Sequence, residues 1–326
     1  MGFFGELKNR SRILVNGRND GGCGQPGYID SSSLEALLTG LERSERVRAL
    51  IPSIVNNWTK APVLDSCVVS VASYGPRIAT LSEMLVSVGF QTCRPVKLIL
   101  NIPSADFPRK MAALPADLLM LIDALGVEVN WVADDLGPHN KYFEVARSCS
   151  DWAIITLDDD NYYQPESLGA LWRTSMEFPD DVVAMRTHKM TYTDDGKLRP
   201  YVEWEYEQRK MIGKPSHSLF ATGVGGVLYP PNAFPEAALN SSVIRDLCLC
   251  ADDIWLKFWT AHQGLRVVQT DEPFVADQIA GSQVTSLCGR DVYETGSSND
   301  RYIDKVVAWF NQNNDILSWM NEDDKR

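Results

Sequence analysis

No run of apolar residues in this sequence reaches the length needed to cross a bilayer, and its first residues lack the apolar core of a secretory signal. A protein that stays in the cytoplasm, meeting a membrane only from its surface, is the expectation. Cationic side chains are outnumbered, with 31 Lys and Arg against 43 Asp and Glu, for a formal net charge of −12. That balance speaks against a nucleic-acid partner. It leaves room for an anionic ligand, because a bound cation inverts the local sign. The seven cysteines follow no framework spacing. Cys248 and Cys250 flank a single residue, too close for a usual zinc pair, and no second pair accompanies them. Reduced thiols are therefore expected.

Familiar nucleotide and metal signatures are missing too. Without G-x-x-x-x-G-K-[ST] there is no P-loop. Where a dinucleotide fold places G-x-G-x-x-G after its first strand, this chain has Ser73-Tyr74-Gly75-Pro76. Gly223-Val224-Gly225-Gly226 comes late and lacks the third glycine. A glycine-rich stretch at 20–27 has no strand before it to make it a phosphate cradle. An EF-hand opening at Asp158 would need glycine where Tyr163 stands and glutamate where Gly169 stands.

What is present is a sizeable hydrophobic fraction, 44% of 326 residues, with 10% aromatics, ample for a core. Ser31 opens a helix signature, with Leu34, Leu37, Leu38 and Leu41 at helical spacing. Residues 1–62 are expected to form an N-terminal extension packed on a main domain of residues 63–326. From Cys67 a regular alternation begins. Strands are expected at 67–72, 96–102, 127–132 and 154–157, with helical patterns over 78–88, 118–125 and 141–150 between them. Further strands are expected over 182–188, after the glycine-rich turn at 222–226, and at 267–270. Helices are expected from Pro165 and Ala251, and over 302–310 and 316–320. The alternation implies βαβ units, hence an α/β fold whose mostly parallel central sheet is flanked by helices.

The rest is arranged around Trp152–Leu157 and the Asp158-Asp159-Asp160-Asn161 that follows. An apolar run bounded by turn residues reads as a strand buried on both faces. Three carboxylates then stand where it leaves the sheet, and open α/β sheets bind ligands at the carboxyl ends of their strands. Packed like charges call for solvent or a cation. Oxygen-only ligands favour Mg²⁺ or Mn²⁺, usually shared with substrate phosphates. A metal–diphosphate site is one reading; a solvated acidic turn capping the next helix is the other. A phosphatase with an aspartyl nucleophile also places two acids at a strand end. It does so on an early strand, with Thr or Val two residues past the second acid, whereas here three strands precede and Tyr162 holds that position.

Val69–Ile78, Gly137–Lys141, Ile155–Asp160, Gly223–Pro231 and Ala251–Leu256 together resemble, in order and spacing, a known family. It is that of the bacterial GT-A-fold glycosyltransferases of capsule and lipopolysaccharide synthesis, DXD-containing and of inverting type. The likeness runs from Val68 to about Gln269. It implies a GT-A-like, Rossmann-like fold and sugar transfer from a nucleotide-sugar donor, a UDP-sugar favoured, to a glycan or lipid-linked glycan. It also implies a Mn²⁺ or Mg²⁺ cofactor and peripheral association with the inner face of the cell membrane.

By matching positions, Ser70, Ser73, Tyr74 and Arg77 hold the nucleoside and its phosphates. Arg77 offers a planar fork of donors, although a surface arginine opening a helix fits equally. Lys141 meets donor phosphate or sugar, or else is a solvated lysine. Asp158 and Asp160 form the metal-linked pair, with Asp159 nearer the ribose or sugar. Gly225 and Gly226 let backbone approach donor or acceptor. Asp253 is the general base and Asp252 orients it; the plainer role for both is to complement a helix macrodipole. His188, His217 and His262 are candidates for a third metal ligand, although a lone histidine is more often structural. Trp204, Tyr206, Trp255 and Trp259 are candidates for an acceptor surface, with core packing the more usual fate for at least Trp259. A non-catalytic nucleotide-sugar-binding scaffold and the phosphatase stand as the alternatives.

Overall fold

The computed structural model describes residues 43–272, 274, 276–280, 282, 298–311, 317 and 320. The helix expected from Ser31 lies outside the described residues, as does most of 316–320. In order the elements are α1 (Arg43–Lys60), β1 (Val63–Ala72), α2 (Leu81–Gly89), β2 (Arg94–Pro103), α3 (Ala116–Leu125) and β3 (Glu128–Val132). Next come α4 (Phe143–Ser148), β4 (Ala153–Leu157), α5 (Ser167–Glu177), β5 (Val182–Ala184), β6 (Thr187–Lys189), β7 (Leu219–Ala221) and β8 (Val227–Tyr229). Last are α6 (Ser241–Leu247), α7 (Asp252–His262), β9 (Val267–Gln269) and α8 (Ser298–Asn311).

Seven strands form the central sheet in the order β3-β2-β1-β4-β8-β5-β9. Every neighbouring pair is parallel except the two that β8 makes, with β4 and β5. The expected mostly parallel α/β architecture is thus the one observed. Side chains alternate across a strand, and both faces are covered. On β1 and β4, Val69, Val71, Ile155 and Leu157 enter one core with residues of α1, α2, α3 and α5. Val68 and Ile154 enter the other, with residues of α4, α6, α7 and α8.

A helix at Arg43–Lys60 has no counterpart among the expected elements, and one expected strand is divided. Val47, Leu50, Ile54 and Trp58 give α1 a buried face, and α1 packs on α2 and α3. The single strand expected over 182–188 is two. β5 belongs to the central sheet and β6 pairs with β7 in a separate antiparallel ribbon. The break falls at Met185 and Arg186, where the chain changes sheets. Cysteine usage also departs from the expectation. Cys67, Cys93, Cys149 and Cys248 are free and buried, but Cys250 is disulfide-bonded. No helix among the described residues is long and apolar enough to cross a membrane.

The topology decides where chemistry can gather. Parallel β1, β4 and β5 bring their carboxyl ends, and so Ser73, Asp158 and Arg186, to one edge of the sheet. Antiparallel β8 brings its amino end to that same edge, and with it the glycine turn at 223–226.

Candidate active site

Asp158, Asp159 and Asp160 follow β4 directly, and each carboxylate has a cation or hydroxyl partner from another element. Arg77 lies in the 3-10 turn Gly75–Ala79 after β1. Its Nη1 is 2.6 Å from Asp159 Oδ1 and 2.9 Å from Asp160 Oδ2. Ser73 Oγ donates to Asp159 Oδ2 at 2.6 Å. Asp159 is buried by this arrangement. Burial pushes its carboxyl up to about 6 despite the opposing pull of Arg77 and Ser73. Asp160 also accepts a hydrogen bond from Asn161 Nδ2, on its other oxygen. Tyr163 turns back on the acidic run: its hydroxyl accepts from the Asp158 N–H at 2.7 Å and donates to the Asp158 carbonyl at 3.1 Å.

Lys141 is the second cation. Its Nζ sits 2.8 Å from Asp158 Oδ1 and 2.9 Å from Asp252 Oδ2, so one ammonium bridges β4 to the start of α7. Burial alone would lower its pKa, but Asp158, Asp252 and Asp253 outweigh that and hold it well above the usual value. The turn Gly137–Lys141 is anchored by its own histidine. Fully buried His139 has Nε2 2.8 Å from the Cys248 carbonyl and Nδ1 2.7 Å from the Tyr142 hydroxyl. A carbonyl can only accept, so Nε2 carries the proton and Nδ1 receives the tyrosine. Burial pushes the imidazole down to about 4, keeping it neutral. His139 thereby ties the Lys141 turn to the segment leading into α7.

Asp253 faces the same space from the other side. Its Oδ2 accepts the Gly223 N–H at 2.9 Å. A Cβ placed on Gly223 would lie 3.0 Å from Lys141 Nζ, 3.1 Å from Asp253 Oδ1 and 3.2 Å from Asp158 Oδ2. Three charged groups from three separate elements therefore converge over one glycine. Burial, then Asp252 and Asp158, push the Asp253 carboxyl up to about 7 against the opposing pull of Lys141.

A raised carboxyl has a stability consequence with a definite sign. Between the unfolded pKa near 4 and the folded value, the folded chain holds a proton that the unfolded chain releases. Stability is then lost as pH rises through that window. Asp253→Asn is expected to unfold at a higher temperature than wild type at pH 8, and at nearly the same temperature at pH 4. Thermal melts at the two pH values check this, and an equal shift at both would assign the effect to something other than ionisation.

Positions of the other expected site residues are mixed. Ser70 is fully buried in β1 and accepts a hydrogen bond from Asn101 Nδ2 at 2.9 Å, within the sheet. Tyr74 flanks Arg77, whose guanidinium carbon is 5.9 Å from the ring centroid. Gly225 and Gly226 have φ of +98° and +99°, a region that favours glycine. Their missing side chains make room for Phe274 and Met185, and for Leu157 and Leu171, rather than for the carboxylates. Gly223 is the glycine at the charged cluster. His188 is buried on β6 with Nδ1 accepting from the Glu207 N–H at 3.0 Å. His262 packs against Trp259 and Phe310 at the end of α7. The His217 carbonyl accepts from Lys257 Nζ at 2.7 Å. Of the four aromatics expected at an acceptor surface, Trp204, Trp255 and Trp259 are buried, whereas Tyr206 is 47% exposed.

The carboxylates supply hard oxygen donors suited to Mg²⁺ or Mn²⁺. Among the described residues no three His, Cys, Asp or Glu side chains form a ready protein cage. The cluster fits instead a cation shared with substrate phosphates, held by one or two carboxylates. Lys141 engages Asp158 through Oδ1, leaving Oδ2 turned toward the space over Gly223. At Asp160 such a cation would take over an oxygen now engaged by Arg77 or Asn161. Five carboxylates against two cations also leave the cluster net negative, so a diphosphate needs added positive charge to enter.

No protein-family model matches the sequence, and no curated protein does. Among solved structures the chain is similar to S. aureus TarS residues 1–349 in complex with UDP. Identity there is 13% and the TM-score 0.41, over 64% of this chain and 59% of that one. TarS 1–349 in complex with UDP-GlcNAc gives 12% identity and a TM-score of 0.36, over 64% and 57%. A CMP:2-keto-3-deoxy-manno-octonic acid synthetase complexed with CTP gives 11% and 0.35, over 64% and 90%. The match thus spans less than two thirds of the TarS chains.

Proposed function

We propose that this protein is a nucleotide-sugar-dependent glycosyltransferase that moves a sugar to a glycan hydroxyl, with Asp253 as general base. The observation that carries it is the convergence of Asp158 Oδ2, Asp253 Oδ1 and Lys141 Nζ over Gly223, at the sheet edge where α/β folds bind ligands. Sugar transfer to a hydroxyl needs a group to hold the leaving diphosphate and a base to take the acceptor proton. The cluster offers both within one space. Arg77 and Lys141 exchange part of their bonding from carboxylate to phosphate when the donor enters, and Asp159 stays to orient Arg77. A divalent cation held by Asp158 and Asp160 would neutralise charge on the departing diphosphate. Asp253, its oxygen fixed by the Gly223 N–H, accepts the proton of the attacking hydroxyl. A base on the side opposite the leaving group gives inversion. Its raised pKa makes Asp253 a better proton acceptor near neutral pH than an ordinary carboxylate.

In surface-polysaccharide synthesis such an enzyme would work at the inner face of the cell membrane on a lipid-linked or growing glycan. Binding is tested by a thermal-shift screen of UDP-, GDP- and CMP-sugars with and without Mn²⁺. One nucleotide sugar at a hundred times its Kd should stabilise the fold by about 2.7 kcal/mol, several degrees in Tm. The shift should be larger with Mn²⁺ and absent in an Asp158→Asn, Asp160→Asn double variant. No shift with any donor contradicts the proposal.

A further inference from the structure

The β6–β7 ribbon carries a feature that donor binding does not use. Tyr206 presents an aromatic ring to solvent from a segment that is held tightly. Glu205 and Lys189 exchange backbone hydrogen bonds at 3.0 and 2.8 Å, and the Gln208 N–H donates to the Thr187 carbonyl at 2.9 Å. Between them the Glu207 N–H donates to His188 Nδ1, with Glu207 at φ +48°. A non-glycine residue in the left-handed region is costly, and such strain persists where surrounding bonds over-determine it. The Tyr206 ring itself rests on His188, 4.4 Å between centroids, and stands perpendicular to Tyr201 at 5.6 Å. An exposed ring is thus fixed in place instead of swinging freely.

Arg186 links this ring to the acidic cluster. Its carbonyl accepts the Thr222 N–H at 3.2 Å, one residue before Gly223. Among the described residues its guanidinium pairs with Glu207 at a long 3.9 Å, and its Nε is buried with no hydrogen-bond partner. A buried N–H left unpaired costs free energy, and a water or a ligand oxygen reaching it would recover that cost. No sequence motif singles out Arg186.

We propose that Tyr206 and Arg186 form the acceptor subsite: one sugar ring of the acceptor stacks on Tyr206, and its hydroxyls bond to Arg186. The assignment rests on the sugar-transfer reading of the Asp253 site. A pyranose has a C–H face that suits an aromatic ring and a rim of hydroxyls that suits a guanidinium and a carboxylate. The exposed carboxylate of Glu207 beside the ring fits that rim and does not fit insertion into lipid. The ring rests on His188, which pairs with Phe220, and the strand of Phe220 runs on to Thr222 and Gly223, whose N–H holds Asp253.

Saturation-transfer NMR with methyl glycosides of glucose, galactose, mannose, rhamnose and N-acetylglucosamine tests the subsite on the full chain. At least one glycoside should receive saturation from wild type. Tyr206→Ala should weaken its binding roughly 3- to 10-fold, the worth of an aromatic contact, and Tyr206→Phe should keep it. Arg186→Gln should weaken it as well. UDP binding, measured on the same samples, reports separately on the donor site and on folding. Glycoside binding that is absent in wild type, or equal in wild type and Tyr206→Ala while UDP still binds, overturns the subsite and leaves the transferase proposal standing. Glycoside binding lost in Tyr206→Ala, with an unchanged thermal melt, in a protein that binds no UDP-, GDP- or CMP-sugar overturns the transferase and with it the acceptor role of the ring.

Discussion

Replacing Asp253 by asparagine is expected to lower turnover by roughly 10²–10⁴-fold, the usual worth of a positioned general base, with little change in donor affinity. Asparagine keeps the size of the side chain and an oxygen to accept the Gly223 N–H, so the glycine turn stays where it is. What it removes is the ability to take a proton from the acceptor. In the proposed reaction the donor diphosphate is held by Arg77, Lys141 and a cation on Asp158 and Asp160, all of which the substitution leaves in place. Lower kcat at constant donor binding marks the loss of an interaction made in the transition state. The wild-type rate should also climb as pH rises through about 7, where the Asp253 carboxyl gives up its proton. Steady-state kinetics with isothermal titration of the donor decide the matter. Weaker donor binding at unchanged turnover would make Asp253 a binding residue. Inactivity of Asp252→Asn with full activity of Asp253→Asn would reverse the two roles, and full activity of both would leave them complementing the α7 dipole.

Lys141→Met is expected to cost about 3 kcal/mol of folding stability at pH 7.5. Lys141 is the ammonium between Asp158 and Asp252, both mostly buried, with Asp253 close by. Methionine fills the space of the stem but leaves the carboxylates facing one another without a counter-charge. Removing one partner of a buried ionic group costs more than the group's net worth, because the remaining charges cannot rehydrate. The sign with pH follows from the same carboxylates. Deprived of Lys141, the Asp158 and Asp253 carboxyls, already raised by burial, rise further, so the penalty is largest at neutral pH and shrinks as acid protonates them. Adding Asp252→Asn to Lys141→Met should restore part of the loss, a non-additive result for groups in contact. Urea unfolding at pH 7.5 and pH 5 reads both effects. A cost below about 0.5 kcal/mol, as for an exposed pair, would show Lys141 to be solvated.

Much of the frame is legible in the sequence because its strands are buried on both faces. Val68–Ala72, Leu98–Ile102 and Ala153–Leu157 are apolar runs bounded by turn residues, and the intervening helices show helical spacing. The acidic run is legible for the same reason, since it ends such a strand. Periodicity does not say which sheet a strand joins. The run at 182–188 looks continuous, yet it is divided between two sheets at Arg186, and the importance of that arginine comes only from the division. Nor does spacing show which glycine faces the carboxylates. Gly225 and Gly226 attract attention by adjacency, but their positive φ values serve packing against Phe274 and Leu157, while Gly223 lies under the charges. The bridge from Lys141 to Asp252 joins segments far apart in the chain, and the His139 contact that aligns them follows no local pattern.

In the proposed reaction the carboxylate cluster cleaves a nucleotide sugar and passes on the sugar. Phosphorus NMR of UDP-GlcNAc and a panel of other nucleotide sugars, incubated with the protein and Mn²⁺, tests it most directly, since transferases leak donor to water. The expected product is the free nucleoside diphosphate from one donor, formed by wild type and not by the Asp158→Asn, Asp160→Asn double variant. Inorganic phosphate, or a nucleoside monophosphate formed from a UDP- or GDP-sugar, as the first product would point to phosphatase or pyrophosphatase chemistry at the same acids, and a donor that binds but is never cleaved would make the protein a nucleotide-sugar-binding scaffold; either result would overturn sugar transfer at this site.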